Sequence, residues 1–221
     1  MTPSPQSHAL EIVVLISGRG SNLRSIVDAI ENKQLQAKIK AVISNNEHAA
    51  GLDFAKQHDI QTETLDHKAF EDRLSFDQAM IKLIDKHNPQ LIVLAGFMRL
   101  LTPEFVNHYL GRLINIHPSL LPAYRGLNTH QRALEDKASE HGASVHFVTP
   151  ELDGGPVIAQ TKIEVYPNTD TADELAARVL KQEHQLYPRV ISFFADKRLH
   201  MQGSDTIIFD GKVLQTPIMM S

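Results

Sequence analysis

The chain has 221 residues, of which 42% are hydrophobic and 22% charged, an ordinary composition for a globular protein. Its formal net charge of −4 argues against a general nucleic-acid binder, and the absence of cysteine excludes disulfides, thiolate catalysis and cysteine-based metal sites. No linker or repeat divides the chain, so we expect a disordered tail over residues 1–9 and one domain over residues 10–221. The apolar run at residues 12–16 is too short to span a membrane, and we expect a cytoplasmic protein.

The first half of the chain alternates strand and helix patterns. Nearly continuous apolar runs predict strands buried on both faces at residues 12–17, 39–44 and 91–95. Helical spacing of apolar residues appears over residues 22–32, 49–58 and 70–87, and a weaker edge strand over residues 60–65. This order predicts an α/β fold with a doubly wound, mostly parallel sheet flanked by helices.

The rhythm changes in the C-terminal half. Residues 112–117 read as a strand, followed by a long loop and then a helix near residues 129–136. The next two strands, residues 143–149 and 157–165, are joined by a short loop, so we expect them to be antiparallel. A long helix is predicted over residues 171–195, and Asp210-Gly211 between two short apolar runs predicts a type I′ hairpin.

The first predicted strand ends in Ser17-Gly18-Arg19-Gly20-Ser21-Asn22, where a helix starts. A glycine-rich turn at a helix N-terminus presents backbone N–H groups to an anion, and Ser21 and Asn22 add side-chain donors and caps. The turn lacks the Gly-Lys-Ser/Thr of a nucleotide-triphosphate loop, and Leu23 replaces the third glycine of the dinucleotide fingerprint. A phosphate monoester therefore fits better than ATP or NAD, although a well-capped turn would have the same residues.

Asn115 and His117 lie two apart on a predicted strand that Pro118 ends, so their side chains share one face. An amide that can donate to an oxyanion would then lie beside an imidazole that can move a proton. Asp153 lies in a tight loop before Gly154-Gly155, whose glycines permit unusual backbone conformations. A carboxylate near an imidazole favours its charged form. Alone, these patterns also fit a strand end and a structural turn.

The segment Ala95-Gly96-Phe97-Met98-Arg99-Leu100-Leu101 follows a buried strand. Phe, Met and Leu with exposed backbone can form a cleft for a flat heteroaromatic ring, although core packing gives the same residues. His141 and His146 lie five apart on a predicted strand and point to opposite faces, so we expect no metal site. The Gly-x-Ser-x-Gly motif of nucleophilic serine hydrolases is absent.

Several motifs together carry a resemblance that extends from about residue 11 to about residue 200. They are Ile16-Ser17-Gly18-Arg19-Gly20-Ser21-Asn22, Leu94-Ala95-Gly96-Phe97-Met98-Arg99, Ile114-Asn115-Ile116-His117-Pro118-Ser119-Leu120-Leu121-Pro122, His141-Gly142-Ala143-Ser144-Val145-His146-Phe147-Val148, Leu152-Asp153-Gly154-Gly155-Pro156 and Gln182-Glu183-His184. In these motifs the chain resembles the folate-dependent phosphoribosylglycinamide formyltransferases of purine biosynthesis.

The resemblance implies that the formyl group of 10-formyltetrahydrofolate moves to the amine of glycinamide ribonucleotide, with no metal. It implies roles for particular residues: Asn115, His117 and Asp153 in catalysis; Gly20, Ser21 and Asn22 in phosphate binding; Leu180, Lys181, Gln182 and Glu183 at the ribose or glycinamide end; and Arg73, Met98, Arg99, Leu100, Leu101, Asn115, Thr149, Pro150, Glu151, Leu152 and Asp153 in folate binding. Asn115 and protonated His117 would donate to the developing oxyanion, and Asp153 would orient His117 and assist proton transfer. We expect a monomer or a weak homodimer that binds neither nucleic acid nor membrane.

Other interpretations stay open at this point. Methionyl-tRNA formyltransferase and formyltetrahydrofolate hydrolase share the formyl-folate core, but each adds a domain for which we expect no room here. A nucleotide- or folate-binding regulator without catalysis would not need Asn115, His117 and Asp153. An NAD-dependent oxidoreductase would require the missing third glycine.

Overall fold

The computed structural model describes residues 9–220, so the tail predicted over residues 1–9 lies almost wholly outside the described residues. The strands are β1 Leu10–Ile16, β2 Ala37–Ser44, β3 Thr62–Thr64, β4 Leu91–Leu94, β5 Leu113–His117, β6 Glu140–Phe147, β7 Val157–Glu164, β8 Leu199–Gln202, β9 Thr206–Phe209, β10 Lys212–Val213 and β11 Ile218–Met220. The α-helices are α1 Ser21–Glu31, α2 Ala50–Gln57, α3 Arg73–Asp85, α4 Pro103–His108, α5 Thr129–Glu135 and α6 Ala172–Ala195.

The main sheet has eight strands in the order β11-β7-β6-β5-β4-β1-β2-β3. The chain runs from β1 outward through β2 to β3 and then returns to β4 on the other side of β1. All four pairings from β3 to β5 are parallel, which confirms the doubly wound arrangement. The boundary between β1 and β4 is therefore the topological switch point, where such sheets bind ligands beyond the carboxyl ends of their strands.

The second half of the sheet is mixed, as predicted. β6 pairs antiparallel with both β5 and β7. A separate sheet of three antiparallel strands, β10-β9-β8, follows α6. Its hairpin has positive φ at both Asp210 (50°) and Gly211 (74°), the signature of the predicted type I′ turn.

Three short elements were not predicted from the sequence: α4, β8 and β11. The helix α4 has only six residues, but Thr102 caps it and Pro103 occupies its first position. The strand β11 adds in parallel to the edge strand β7, a pairing that only the folded topology makes available. Strands this short carry too few residues for a periodic pattern to be visible.

Alternate residues of β1 face two separate cores. Ile12, Val14 and Ile16 pack with side chains of α1, α2 and α6, whereas Val13 and Leu15 pack with those of α3 and α4. All five are fully buried, which explains why this strand reads as a continuous apolar run. None of the helices within residues 9–220 combines the length and the apolar character that crossing a membrane requires.

Candidate functional site

The glycine turn, residues 17–22, connects β1 to α1 and lies at the topological switch point between β1 and β4. Gly20 has a φ of +71°, in the left-handed region, and a Cβ at this position would lie only 2.9 Å from the Cα of Gly51 at the start of α2. Only glycine meets both demands without strain. The turn therefore brings the start of α2 close to the start of α1, where Gly51 N donates to Gly18 O at 3.0 Å. The positive dipole end of α1 lies at the carboxyl edge of the sheet and can attract an anion.

The side-chain caps predicted at Ser21 and Asn22 are absent. Gly20 occupies the N-cap position of α1, and no side chain caps it. The Asn22 amide instead donates to Glu183 Oε2 on α6 at 2.7 Å, and both side chains are buried. Burial raises the pKa of Glu183, and the hydrogen bond from Asn22 only partly opposes this shift.

Only one of the four predicted residues on α6 reaches the glycine turn. Glu183 contacts Asn22, whereas Gln182 accepts a hydrogen bond from Thr161 of β7 at 3.0 Å. Lys181 is exposed and Leu180 is half-buried. Helical geometry explains the division, because adjacent residues of a helix point in different directions.

A polar cluster, defined as Asn115, His117, His146 and Asp153, lies at the end of β5. The antiparallel register places Asn115 opposite His146 of β6, and Asn115 Nδ2 lies 3.3 Å from His146 Nε2. His146 Nδ1 donates to its neighbour's carbonyl, Phe147 O, at 2.8 Å. Burial lowers the pKa of His146 to about 4, so the ring is neutral and its Nε2 accepts from the Asn115 amide. One N–H of Asn115 is thereby used, and the other stays available.

Asp153 connects the cluster to two loops. Its Oδ2 accepts a hydrogen bond from Gly126 N at 2.9 Å and lies 3.4 Å from His117 Nδ1. Its Oδ1 lies 3.7 Å from His146 Nε2. His117 Nε2 donates to Tyr124 O at 2.9 Å, so both ring nitrogens of His117 face oxygen acceptors.

The glycines of the Asp153 loop are needed because a side chain would not fit there, and not because the backbone has a positive φ. This corrects the sequence prediction. Asp153 itself adopts a φ of +47°, a conformation that Asp tolerates better than most residues. Gly154 and Gly155 have no positive φ, but a Cβ at Gly155 would overlap Phe147 O of β6. The loop is also tied to residues 119–128 by an ion pair between Arg125 and Glu151.

A cavity of about 130 Å³ opens beside the polar cluster. Its walls are formed by Leu94, Phe97, Arg99, Leu100, Leu101, Val106, Asn115, His146, Val148, Thr149, Pro150, Glu151, Leu152 and Asp153. Most of the predicted folate residues thus line one cavity, but Met98 is 70% exposed and neither it nor Arg73 contributes to the walls. His117 lies just behind Asp153, outside the lining.

Two features of the cavity suit a flat polar heterocycle. Apolar side chains form one wall, and the loop at residues 149–153 forms the other. Arg99, whose Nε is buried without a hydrogen-bond partner, adds a guanidinium to the lining.

His146 is the functional candidate that sequence reasoning missed, because neither the metal-ligand pattern nor the shared motif around it assigns this side chain a role. No sequence signal could have found it, because residues 118–139 separate β5 from β6 and only the folded register places His146 opposite Asn115. His141 instead contacts His130 of α5, with 3.1 Å between the ring nitrogens. Within residues 9–220 no group of three or more His, Asp or Glu side chains is placed to hold a metal ion.

Comparison with known proteins gives a consistent result. The sequence profile described as formyl transferase matches residues 10–191. The phosphoribosylglycinamide formyltransferase of Escherichia coli (strain K12) is 55% identical over 192 residues, which are 87% of this chain and 90% of that protein. The enzyme of the same name from Haemophilus influenzae is 45% identical over 204 residues, 92% of this chain and 95% of that protein.

A solved structure agrees with these sequence matches. The phosphoribosylglycinamide formyltransferase from Coxiella burnetii, in complex with CHES, has a TM-score of 0.91 and 50% sequence identity. The match covers 96% of this chain and 100% of that chain.

Proposed function

The chain belongs to the formyl transferase family, and from this premise we propose that it transfers the formyl group of 10-formyltetrahydrofolate to the amine of glycinamide ribonucleotide in purine biosynthesis. One observation supports the proposal: His117 Nδ1 lies 3.4 Å from Asp153, and Asp153 and Asn115 both line the cavity. A phosphate site and a heterocycle site on either side of proton-transfer groups are what this reaction needs.

The glycine turn would bind the phosphate of the ribonucleotide. Gly20, Ser21 and Asn22 form the start of α1, whose first N–H groups have no acceptors within the helix. Glu183, held by Asn22, would accept from the ribose hydroxyls or the glycinamide end. Leu180, Lys181 and Gln182 would act in this region only as neighbours of Glu183.

The cavity would hold the pterin ring, with Leu100, Leu101 and residues 149–153 around it. Arg99, and Arg73 and Met98 outside the cavity, would contact the more distal parts of the folate. When bound, the folate supplies an activated formyl group on N10. The position of Asn115 in the cavity wall would bring its amide next to that group.

The polar cluster would stabilise charge and move a proton. Because His146 takes one N–H of Asn115, the second is directed and can donate to the oxyanion that develops at the formyl carbon. His117, with Asp153 beside Nδ1, would supply a charged donor and pass the proton of the attacking amine towards the leaving N10. His117 Nε2 must first exchange Tyr124 O for the substrate, so residues 119–128 have to shift when both substrates bind.

We extend the proposal to the organisation of the protein: a single domain over residues 10–221, active in the cytoplasm as a monomer or a weak homodimer. The N-terminal half would bind the phosphate of the ribonucleotide, and the C-terminal half would bind the formyl-folate together with residues 94–106, which form one wall of the cavity. No metal takes part in the steps described.

The test measures the absorbance change as 10-formyltetrahydrofolate is consumed, with and without glycinamide ribonucleotide. We expect consumption only when the ribonucleotide is present, in equal molar amount. Consumption at the same rate without the ribonucleotide would favour formyltetrahydrofolate hydrolase activity. Binding of either ligand without consumption would favour a regulatory binding protein.

A further inference from the structure

The segment between β4 and α4, residues 95–102, forms one wall of the cavity without belonging to a helix or strand. It contributes Phe97, Arg99, Leu100 and Leu101 to the lining. Near each end of this segment, a backbone N–H donates to a side chain from another element: Met98 N to Ser17 Oγ at 2.7 Å and Thr102 N to Asp77 Oδ2 at 2.6 Å. The wall is therefore attached by two side chains that are not themselves part of it.

Asp77 holds the end of the segment that leads into α4. It lies on α3, is only 1% exposed, and has no hydrogen-bond partner for its second oxygen, Oδ1. Thr102 caps α4 by accepting from Phe105 N at 3.3 Å, so its own amide lies before the helix and needs another acceptor. Burial raises the pKa of Asp77, and the hydrogen bond from Thr102 N opposes that shift, so this contact partly offsets the cost of burying the carboxylate.

Ser17 holds the other end. Its hydroxyl donates to Asn45 Oδ1 at 2.6 Å, which leaves its oxygen to accept from Met98 N. Ser17 N also donates to Gly96 O at 3.2 Å, so the first residue of the glycine turn binds the segment twice. This attachment links the wall of the cavity to the turn proposed for the phosphate.

We infer that Asp77 and Ser17 are positioning residues that fix residues 96–102 as the wall of the formyl-folate cavity, an inference that rests on the proposed function. Neither residue lines the cavity, so both act through the backbone that they hold. Loss of either attachment would let the wall move and weaken binding of the folate. Loss of the Asp77 attachment would leave the polar cluster, and therefore the rate at saturation, nearly unchanged.

The matched test uses two carboxylates of α3. In Asp77→Ala we expect the KM for formyl-folate to rise about tenfold, with kcat within about threefold and the KM for the ribonucleotide within about twofold. In Asp77→Asn the amide oxygen can still accept from Thr102 N, and we expect most of the affinity to return. Asp85→Ala is the control, because Asp85 also joins α3 to α4, through Tyr109 Oη at 2.9 Å. It should lower the melting temperature and leave both KM values unchanged.

If Asp77→Ala folds poorly, the inference is tested with Ser17→Ala and with a direct measurement of folate binding. Ser17→Ala should raise the KM for formyl-folate about fivefold. Calorimetric titration with a non-transferring 10-formylfolate analogue should give the same losses without turnover. An unchanged folate affinity in the folded variants would overturn the inference, and so would an equal loss in Asp85→Ala. If the wild type binds the analogue but transfers nothing, the proposed function fails while the positioning roles stand; if it does not bind the analogue, both fail.

Discussion

The glycine turn and the polar cluster lie at the same edge of the sheet, but the chain builds them in opposite ways. The turn is made from consecutive residues, and its shape depends on backbone conformation and on one close approach, Gly20 to Gly51. The cluster is made from three distant segments whose side chains hold one another, Asn115 to His146 and His117 to Asp153. A change in the turn should therefore act on stability and phosphate binding, whereas a change in the cluster should act on the rate and on neighbouring side chains.

The largest effect is expected in the cluster. We predict that His117→Ala lowers kcat by about 10²–10³, because the proposed donor to the oxyanion is lost, while both KM values stay within about threefold. Steady-state kinetics measures this. His58→Ala is the control, since His58 pairs with Glu31 on the surface and should leave kcat unchanged. A fewfold loss in His117→Ala would remove this residue from the chemistry.

The next largest effect is expected in the glycine turn, on the stability of the fold. We predict that Gly20→Ala lowers the free energy of unfolding by about 2–4 kcal/mol, because alanine is strained at positive φ and its Cβ meets Gly51. Gly203→Ala is the matched control: its φ is +67° but no atom lies within 4 Å of the added Cβ, so only about 1–2 kcal/mol should be lost. Denaturant unfolding measures both. Equal losses would show that the approach to Gly51 is unimportant.

A smaller effect tests whether Asn115 and His146 of the polar cluster act together on the rate. We predict that His146→Ala lowers kcat about tenfold, because the Asn115 amide loses the acceptor that directs it. In an Asn115→Ala background the same substitution should cost almost nothing further. A double-mutant cycle measures the coupling, and additive losses would argue that the two residues act separately.

The smallest effect tests the contact between the glycine turn and α6. Burial raises the pKa of Glu183, so the folded state holds this proton more tightly than the unfolded state does, and that stabilisation is lost as pH rises through the raised pKa. Glu183→Gln removes the ionised form. We predict that its melting temperature exceeds that of the wild type by about 2–4 °C near pH 8, with the difference shrinking towards about pH 4, while its affinity for the ribonucleotide falls.

Thermal scans across that pH range check this prediction. A constant difference at all pH values would mean that the ionised carboxylate is not penalised in the fold. A variant that is more stable and binds the ribonucleotide as well as the wild type does would leave Glu183 without a role at this site.

The contrast between the glycine turn and the polar cluster also explains which parts of the fold and of the site the sequence could predict. The buried strands β1, β2, β4 and β5 follow from apolar runs, and the glycine turn from its own residues, because local physics determines both. The capping role assigned to Asn22 was wrong, since its partner Glu183 lies on α6 and comes near only in the fold. His146 and Asp77 could not be recognised either, because a register and a helix packing decide what they contact.

The most direct test of the account follows the formyl carbon itself. The folded protein is mixed with 10-formyltetrahydrofolate labelled with ¹³C in the formyl group, together with glycinamide ribonucleotide, and the product is identified by NMR. The account predicts that the label appears on the glycinamide amine in equal molar amount, with no free formate, and that His117→Ala slows its appearance by about 10²–10³. Label recovered as formate, or transfer at an undiminished rate in the variant, would contradict it.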